Sequence, residues 1–137
     1  MMLRIECDGS SLKGTGAGAG FVSSDGYSEA IPLRKDSTNN EAEYQAVIGA
    51  LNYLIRNPPP ASVEHIQILS DSELVIKQIN GDYKVKNSRL RKLHQEALFL
   101  IKRLPRHLTL LHIPREENPR ADGISRVAAL ISMAQEL

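Results

Sequence analysis

The sequence predicts an α/β fold, a five-stranded mixed sheet with helices packed against it. Two observations carry that prediction. The first 35 residues read as three strands, the first alternating apolar and polar residues and the last two joined by a tight turn. Beyond them helical and strand patterns take turns, giving the order βββαβααβα. An antiparallel three-strand meander followed by strands that return across helices reads as a meander with parallel strands added. A length of 137 residues fits one domain over residues 1–137.

The elements follow in order. Leu3, Ile5 and Cys7 alternate with Arg4, Glu6 and Asp8, so a first strand is expected to end at Asp8, followed by Gly9-Ser10. The run from Gly14 to Gly20 reads as a flexible turn. It lacks the Gly-Lys-Ser/Thr of a phosphate loop and leads into a strand rather than a helix. Ala19 to Ser23 and Tyr27 to Leu33 are strands around the tight turn Asp25-Gly26. Glu41 to Arg56 is a helix with Tyr44, Val47, Ala50, Leu51, Leu54 and Ile55 on one stripe, stopped by Asn57-Pro58-Pro59-Pro60. His65 to Leu69 is a strand running into Ser70-Asp71, and Ser72 to Ile79 a short helix closed by Asn80-Gly81. Ser88 is expected to cap a longer helix bearing Leu90, Leu93, Ala97, Leu100, Ile101 and Leu104. Leu108 to Ile113 is a strand stopped by Pro114, and Asn118-Pro119 opens the last helix with proline at its favoured first position.

Composition narrows the class. Hydrophobic residues make up 42%, enough for a packed core. No apolar run approaches the roughly 18 residues that a membrane span needs, so no membrane partner is expected. The chain starts directly in a strand pattern, which predicts no signal peptide. One cysteine, Cys7, excludes an intrachain disulfide and suits a cytoplasmic setting. The net charge of +1 says little, but its distribution is uneven. Residues 1–83 carry six Lys/Arg against eleven Asp/Glu, whereas residues 84–106 carry eight against Glu96 alone. A cationic segment beside an acidic remainder can meet phosphates while the acidic part holds metal; a solvated helix face is the plainer alternative.

Chemistry is sought among the acids, because zinc signatures of the His-Glu-x-x-His or paired Cys-x-x-Cys kind are missing. Four carboxylates stand at element junctions, and each has a structural explanation alone. Asp8 can start an Asp-Gly turn. Glu43 can complete a capping box if Asn40 is the N-cap, yet it also edges the buried stripe and should point towards the sheet. Asp71 can cap a helix, and Asp122 suits the first turn of the last helix. Together, two strand ends and two helix starts can gather at one edge of the sheet. Four such charges repel unless cations sit between them, and hard oxygen ligands suit Mg²⁺ or Mn²⁺. Two ions about 4 Å apart would activate a water and stabilise the leaving oxygen of a phosphodiester.

Asp8-Gly9-Ser10, Thr38-Asn39-Asn40-Glu41-Ala42-Glu43, Ser70-Asp71-Ser72 and Asn118-Pro119-Arg120-Ala121-Asp122 resemble, in order and spacing, the four motif blocks of type 1 ribonuclease H. The resemblance spans essentially the whole chain. It implies a ribonuclease H-like sheet of five strands and endonucleolytic cleavage of RNA paired with DNA, leaving 5′-phosphate and 3′-hydroxyl ends. It implies that Asp8, Glu43, Asp71 and Asp122 are catalytic and hold two Mg²⁺ ions, with Mn²⁺ a possible substitute. Asp8 would bridge both ions, Glu43 and Asp71 would hold the one on the leaving-group side, and Asp122 the one that activates water. Thr38 would grip a DNA phosphate, with Asn39 and Asn40 in the minor groove and Ser10, Ser11, Ser72 and Glu73 near the RNA backbone. Small hydroxyl and amide groups of this kind read a 2′-hydroxyl and groove shape without reading sequence. A monomer is the family's expectation.

The chain departs from the family in three places. The glycine loop after Ser10 is short and lacks an Asn-Pro. The Trp-rich basic protrusion of some bacterial members is missing, since the chain has no tryptophan; Lys84, Lys86 and Arg89-Leu90-Arg91-Lys92 would compensate by charge without stacking. The third departure lies where many members carry a histidine on a mobile loop. Counting back from Asp122 without gaps places His112 there. A strand stopped by Pro114 shortens the loop and puts Arg115 at that position, which makes Arg115 the expected residue and His112 the alternative. Arginine cannot act as a general base but binds phosphate. Two alternatives to the enzyme remain at this stage: another nuclease of the same fold, of the junction-resolvase type, and a hybrid-binding domain without catalysis.

Overall fold

The computed structural model describes residues 1–104 and 107–135. Its five strands form one mixed sheet in the order β3-β2-β1-β4-β5. β1 (Met2–Ser11), β2 (Ala17–Ser23) and β3 (Ser28–Leu33) are the antiparallel meander, and β4 (His65–Ser70) and β5 (His107–His112) extend the other edge of β1 in parallel. The helices are α1 (Asn39–Arg56), α2 (Glu73–Ile79), α3 (Ser88–Lys102) and α4 (Pro119–Ala134), the last preceded by a 3-10 turn at Arg115–Glu117. The order is the βββαβααβα of the sequence pattern. Arg106 and Glu136, counted above among the charges, lie outside the described residues. Among the described residues no helix is long and apolar enough to cross a membrane.

The two faces of the sheet carry different packing. Leu3, Ile5 and Cys7 of β1, Phe21 of β2 and Ile66 and Ile68 of β4 form one core with Tyr44, Val47, Leu51 and Leu54 of α1. Each large side chain buried this way contributes about 1.5–3 kcal/mol. α3 backs α1 through Leu90, Ala97 and Leu100, which are buried at helical spacing.

On the opposite face α4 lies across β1, β2 and β3. Here Gly16, just before β2, and Gly18 and Gly20 within it face the helix, and a Cβ on Gly18 would sit 2.3 Å from the backbone nitrogen of Ala129. The glycine run is therefore not one flexible turn, as expected from composition. The turn is confined to Lys13-Gly14, both at positive φ, and Gly18 and Gly20 alternate within β2 to let a helix backbone touch the sheet.

Several boundaries correct the sequence reading. β1 continues past Asp8 to Ser11, so Asp8-Gly9 is strand and not turn. Thr38, not Asn40, is the N-cap of α1, because Thr38-x-x-Glu41 is itself a complete capping box: Glu41 N donates to the Thr38 hydroxyl and Thr38 N donates to the Glu41 carboxylate. Glu43 is released from capping. Ser72, not Asp71, caps α2, and Asn87 takes the place expected for Ser88, its side chain accepting from both Arg89 N and Leu90 N.

Candidate active site

The parallel pairing of β1 with β4 ends at Cys7 opposite Ser70. The next residue on each strand path is an aspartate, so Asp8, still within β1, and Asp71, just past the end of β4, stand side by side where the parallel pairing stops. Asp8 points to the α4 face, where the Ser125 hydroxyl lies 3.0 Å from its Oδ2. Glu43 arrives from the α1 face. Gly9 makes this possible: a Cβ there would lie 2.2 Å from the Ala42 carbonyl carbon, so the first turn of α1 rests directly on β1. Gly9 N donates to Glu43 Oε1. Asp8, Glu43 and Asp71 thereby each bring an oxygen to within 4.8 Å of the others. Asp122, in the first turn of α4, lines the same cleft but stands outside that triad, its carboxylate 3.2 Å from Arg126 Nε.

The electrostatics of the cluster are one-sided. Asp8 and Glu43 are only 5% and 4% exposed. Among the described residues no Lys or Arg forms an ion pair with Asp8, Glu43 or Asp71. Burial pushes both carboxyls up from the usual carboxylate range, and the neighbouring charges push further: Asp71 on Asp8, and Asp8 and Asp71 on Glu43. The Ser125 hydroxyl and Gly9 N–H act the other way, favouring the ionised forms. Burial likewise raises the Cys7 thiol, which lies wholly inside the core. A hard divalent cation would supply the charge this oxygen cluster lacks, and the donor set fits it.

The remaining expected site residues divide into two groups. Ser10, Ser11, Asn39, Ser72, Glu73 and Arg115 line the cleft, whose volume is about 530 Å³. The Ser11 hydroxyl is already engaged with the Ser37 carbonyl at 2.9 Å. Thr38 and Asn40 are exposed and outside the cleft lining, with the Thr38 hydroxyl spent on its helix cap. Lys84 belongs to a separate groove with Arg91 and His94, and Lys86 is exposed on the same segment. Of the two candidates near the last helix, Arg115 in the 3-10 turn lines the cleft, while His112 is the last residue of β5 and does not.

Three residues at the cluster escaped the sequence reading of side-chain roles. Asn118 is fully buried; its Nδ2 donates to the Cys7 carbonyl at 2.8 Å and reaches Asp71 Oδ2 at 3.4 Å, while its Oδ1 has no hydrogen-bond partner. Asn-Pro reads as a helix opener, but this side chain makes no capping bond and turns inward instead. Ser125 and Arg126 contact Asp8 and Asp122. A polar residue within the buried stripe of Ala121, Ala128 and Ala129 is the one signal that could have marked Ser125.

Comparison with known proteins agrees with this geometry. A family described as reverse transcriptase-like matches residues 6–128. The bifunctional protein Rv2228c of Mycobacterium tuberculosis is 32% identical over 134 residues, covering 93% of this chain; the chain spans 35% of that relative's length. The crystal structure of LC11-RNase H1 in complex with an RNA/DNA hybrid superposes with a TM-score of 0.85 at 29% identity, covering 96% of this chain and 99% of that one. RNase H1 from the halophilic archaeon Halobacterium salinarum gives 0.81 at 29% identity, covering 93% and 97%. The fold is shared along nearly the whole chain, which belongs to the type 1 ribonuclease H family.

Proposed function

We propose that this chain is a ribonuclease H domain that hydrolyses the RNA strand of RNA–DNA hybrids, leaving 5′-phosphate and 3′-hydroxyl ends. The observation that supports it most is the triad of Asp8, Glu43 and Asp71 oxygens within 4.8 Å, none of them in an ion pair among the described residues. These three, with Asp122 at the lip, would hold two Mg²⁺ ions, or Mn²⁺ in their place. Bound there, such ions supply a nucleophilic water and neutralise charge on the leaving oxygen. The chain's own residues do the rest. Gly9 N–H and the Ser125 hydroxyl orient Glu43 and Asp8 and favour their ionised forms against burial and crowding. Ser10, Asn39 and Ser72, exposed or half-buried along the cleft, offer short polar groups to the backbone and 2′-hydroxyls of the hybrid. Arg115 faces the cleft as a phosphate ligand, which binds the scissile region and steadies departing product without serving as a base. Lys84 and Lys86 lie outside the cleft and would act on a more distant phosphate. LC11-RNase H1, similar in fold over almost its whole length, was solved with such a hybrid.

The test is a labelled substrate panel of hybrid, single-stranded RNA, double-stranded RNA, DNA duplex and four-way junction, with Mg²⁺ or with chelator. Cleavage confined to the hybrid RNA strand and dependent on the cation is expected. Hybrid binding without cutting would point to a non-catalytic domain, and preferential junction cutting to a resolvase.

A further inference from the structure

We propose that Ser125 is a positioning residue of the acidic cleft, its hydroxyl setting the Asp8 carboxylate for a divalent cation. The inference rests on reading the cleft as a cation site. Ser125 is fully buried in α4, at the seam where the helix backbone meets the glycines of β2. A Cβ on Gly20 would lie 2.9 Å from Ser125 N, so the α4 backbone runs against β2 here, and the fully buried side chain at 125 packs inside that contact. Alanine would fit there with a better helix propensity, and a buried hydroxyl is unfavourable unless bonded. The hydroxyl therefore needs a reason beyond packing.

That reason lies in its acceptors. Ser125 Oγ stands 3.0 Å from Asp8 Oδ2 and 2.9 Å from the Asp122 carbonyl, with one hydrogen to donate. The Asp122 carbonyl lies inside α4, where the helix ladder already supplies a donor four residues on. Asp8 Oδ2 is the charged acceptor, and a bond to a carboxylate is about twice as strong as one to a neutral oxygen. The hydrogen goes to Asp8. Anchoring one oxygen to α4 sets the carboxylate plane, and with it where the second oxygen stands relative to Glu43 and Asp71. Ser132 provides an internal contrast. It is equally buried, two turns along the same seam, but its hydroxyl serves strand backbone, donating to the Leu33 carbonyl at 2.6 Å and accepting from Ala17 N at 3.2 Å.

The experiment is calorimetric titration of Mn²⁺ into chelator-stripped protein without nucleic acid, alongside melting of each cation-free variant. Hydrogen-bond partners behind metal ligands typically change affinity by about tenfold or more. Ser125→Ala should weaken Mn²⁺ binding by about that factor, with a cation-free Tm equal to or above that of the parent. Ser125→Cys, similar in size but a weak donor, should weaken it in the same direction. Ser132→Ala should lower the Tm and leave Mn²⁺ affinity unchanged. Parent and Ser125→Ala binding Mn²⁺ equally would overturn the role of Ser125 alone. A parent chain that takes up no Mn²⁺ would instead overturn the cation reading of the cleft, and this inference with it.

Discussion

On one side of the sheet α1 buries Tyr44, Val47, Leu51 and Leu54 against Ile5, Phe21 and Ile68; on the other α4 meets the strands through Gly16, Gly18, Gly20, Ala128 and Ala129. The first contact is made by long side chains and contributes area. The second is made by backbone against backbone and contributes little area, but it leaves no slack in where α4 sits. The acidic cluster uses both. Glu43 rides on the rare point where α1 also touches a strand backbone, at Gly9, while Asp122 and Ser125 ride on the glycine seam. Side-chain burial under α1 concentrates stability, and the two backbone contacts, at Gly9 and along the glycine seam, place the acidic groups.

The largest expected effect falls on the residue that joins the two. Asp8→Asn should lower cleavage of a hybrid by roughly three orders of magnitude or more, because it removes the carboxylate shared by the cluster. The variant should remain folded, since a buried charge crowded by others is replaced by a neutral group of the same shape. Residual activity within tenfold of the parent would show that the reaction centre lies elsewhere.

A matched pair sharpens the contrast between the faces. Leu51→Ala, in the side-chain core, should cost about 2–5 kcal/mol in denaturant unfolding while the folded fraction keeps its turnover. Gly20→Ala, in the backbone seam, should cost about 1–3 kcal/mol by overpacking and should also depress kcat, because the helix carrying Asp122 and Ser125 must move. If both variants retain the same turnover per folded molecule, the division of labour is wrong.

The same contrast explains what could be read before any coordinates. The face built from Tyr44, Val47, Leu51 and Leu54 announces itself by helical spacing, so α1 and the element order were legible. Glycine has no side chain to enter such a pattern, so a run placed in β2 for close approach looked like a turn. Asp8-Gly9 misled for the same reason, since nothing local distinguishes a glycine that bends a chain from one that admits a helix. Capping was legible only in kind: Thr38, Asn40, Ser88 and Asn87 are all good caps, and which one served was decided by the full Thr38–Glu41 box and by the reach of Asn87 to two amides. The four carboxylates were legible only jointly, from their places at strand ends and helix starts and from the order of the motif blocks. The inward turn of Asn118 and the bond from Ser125 to Asp8 depend on contacts more than 110 residues apart in sequence, which no local pattern contains.

A smaller effect concerns the rim, where neither face constrains the side chain. Arg115 is exposed and lines the cleft, and His112 ends an edge strand. Arg115→Ala should slow turnover about tenfold, the size expected if one charge-assisted contact to phosphate is lost, and His112→Ala should stay within about twofold. Steady-state kinetics of the two variants decides it, and the reverse ranking would move the loop's functional position to His112.

The subtlest expectation concerns pH in the absence of cation. In the folded chain Asp8 is raised from 3.8 to about 7 and Glu43 from 4.5 to about 10, by burial and by their crowded charges. A folded state that holds protons more tightly than the unfolded one gains stability at low pH. That gain is complete below the unfolded values near 4 and is lost as pH rises through about 7 and on towards 10. Cation-free protein should therefore melt a few degrees lower at pH 8.5 than at pH 5.5, and Asp8→Asn should flatten the difference. Mn²⁺ competes with those protons, so the Tm it adds should be greater at pH 8.5. A cation-free Tm that rises over this interval, with the same rise in Asp8→Asn, would mean the cluster is not under charge stress, and the physical case for a cation between these oxygens would go with it.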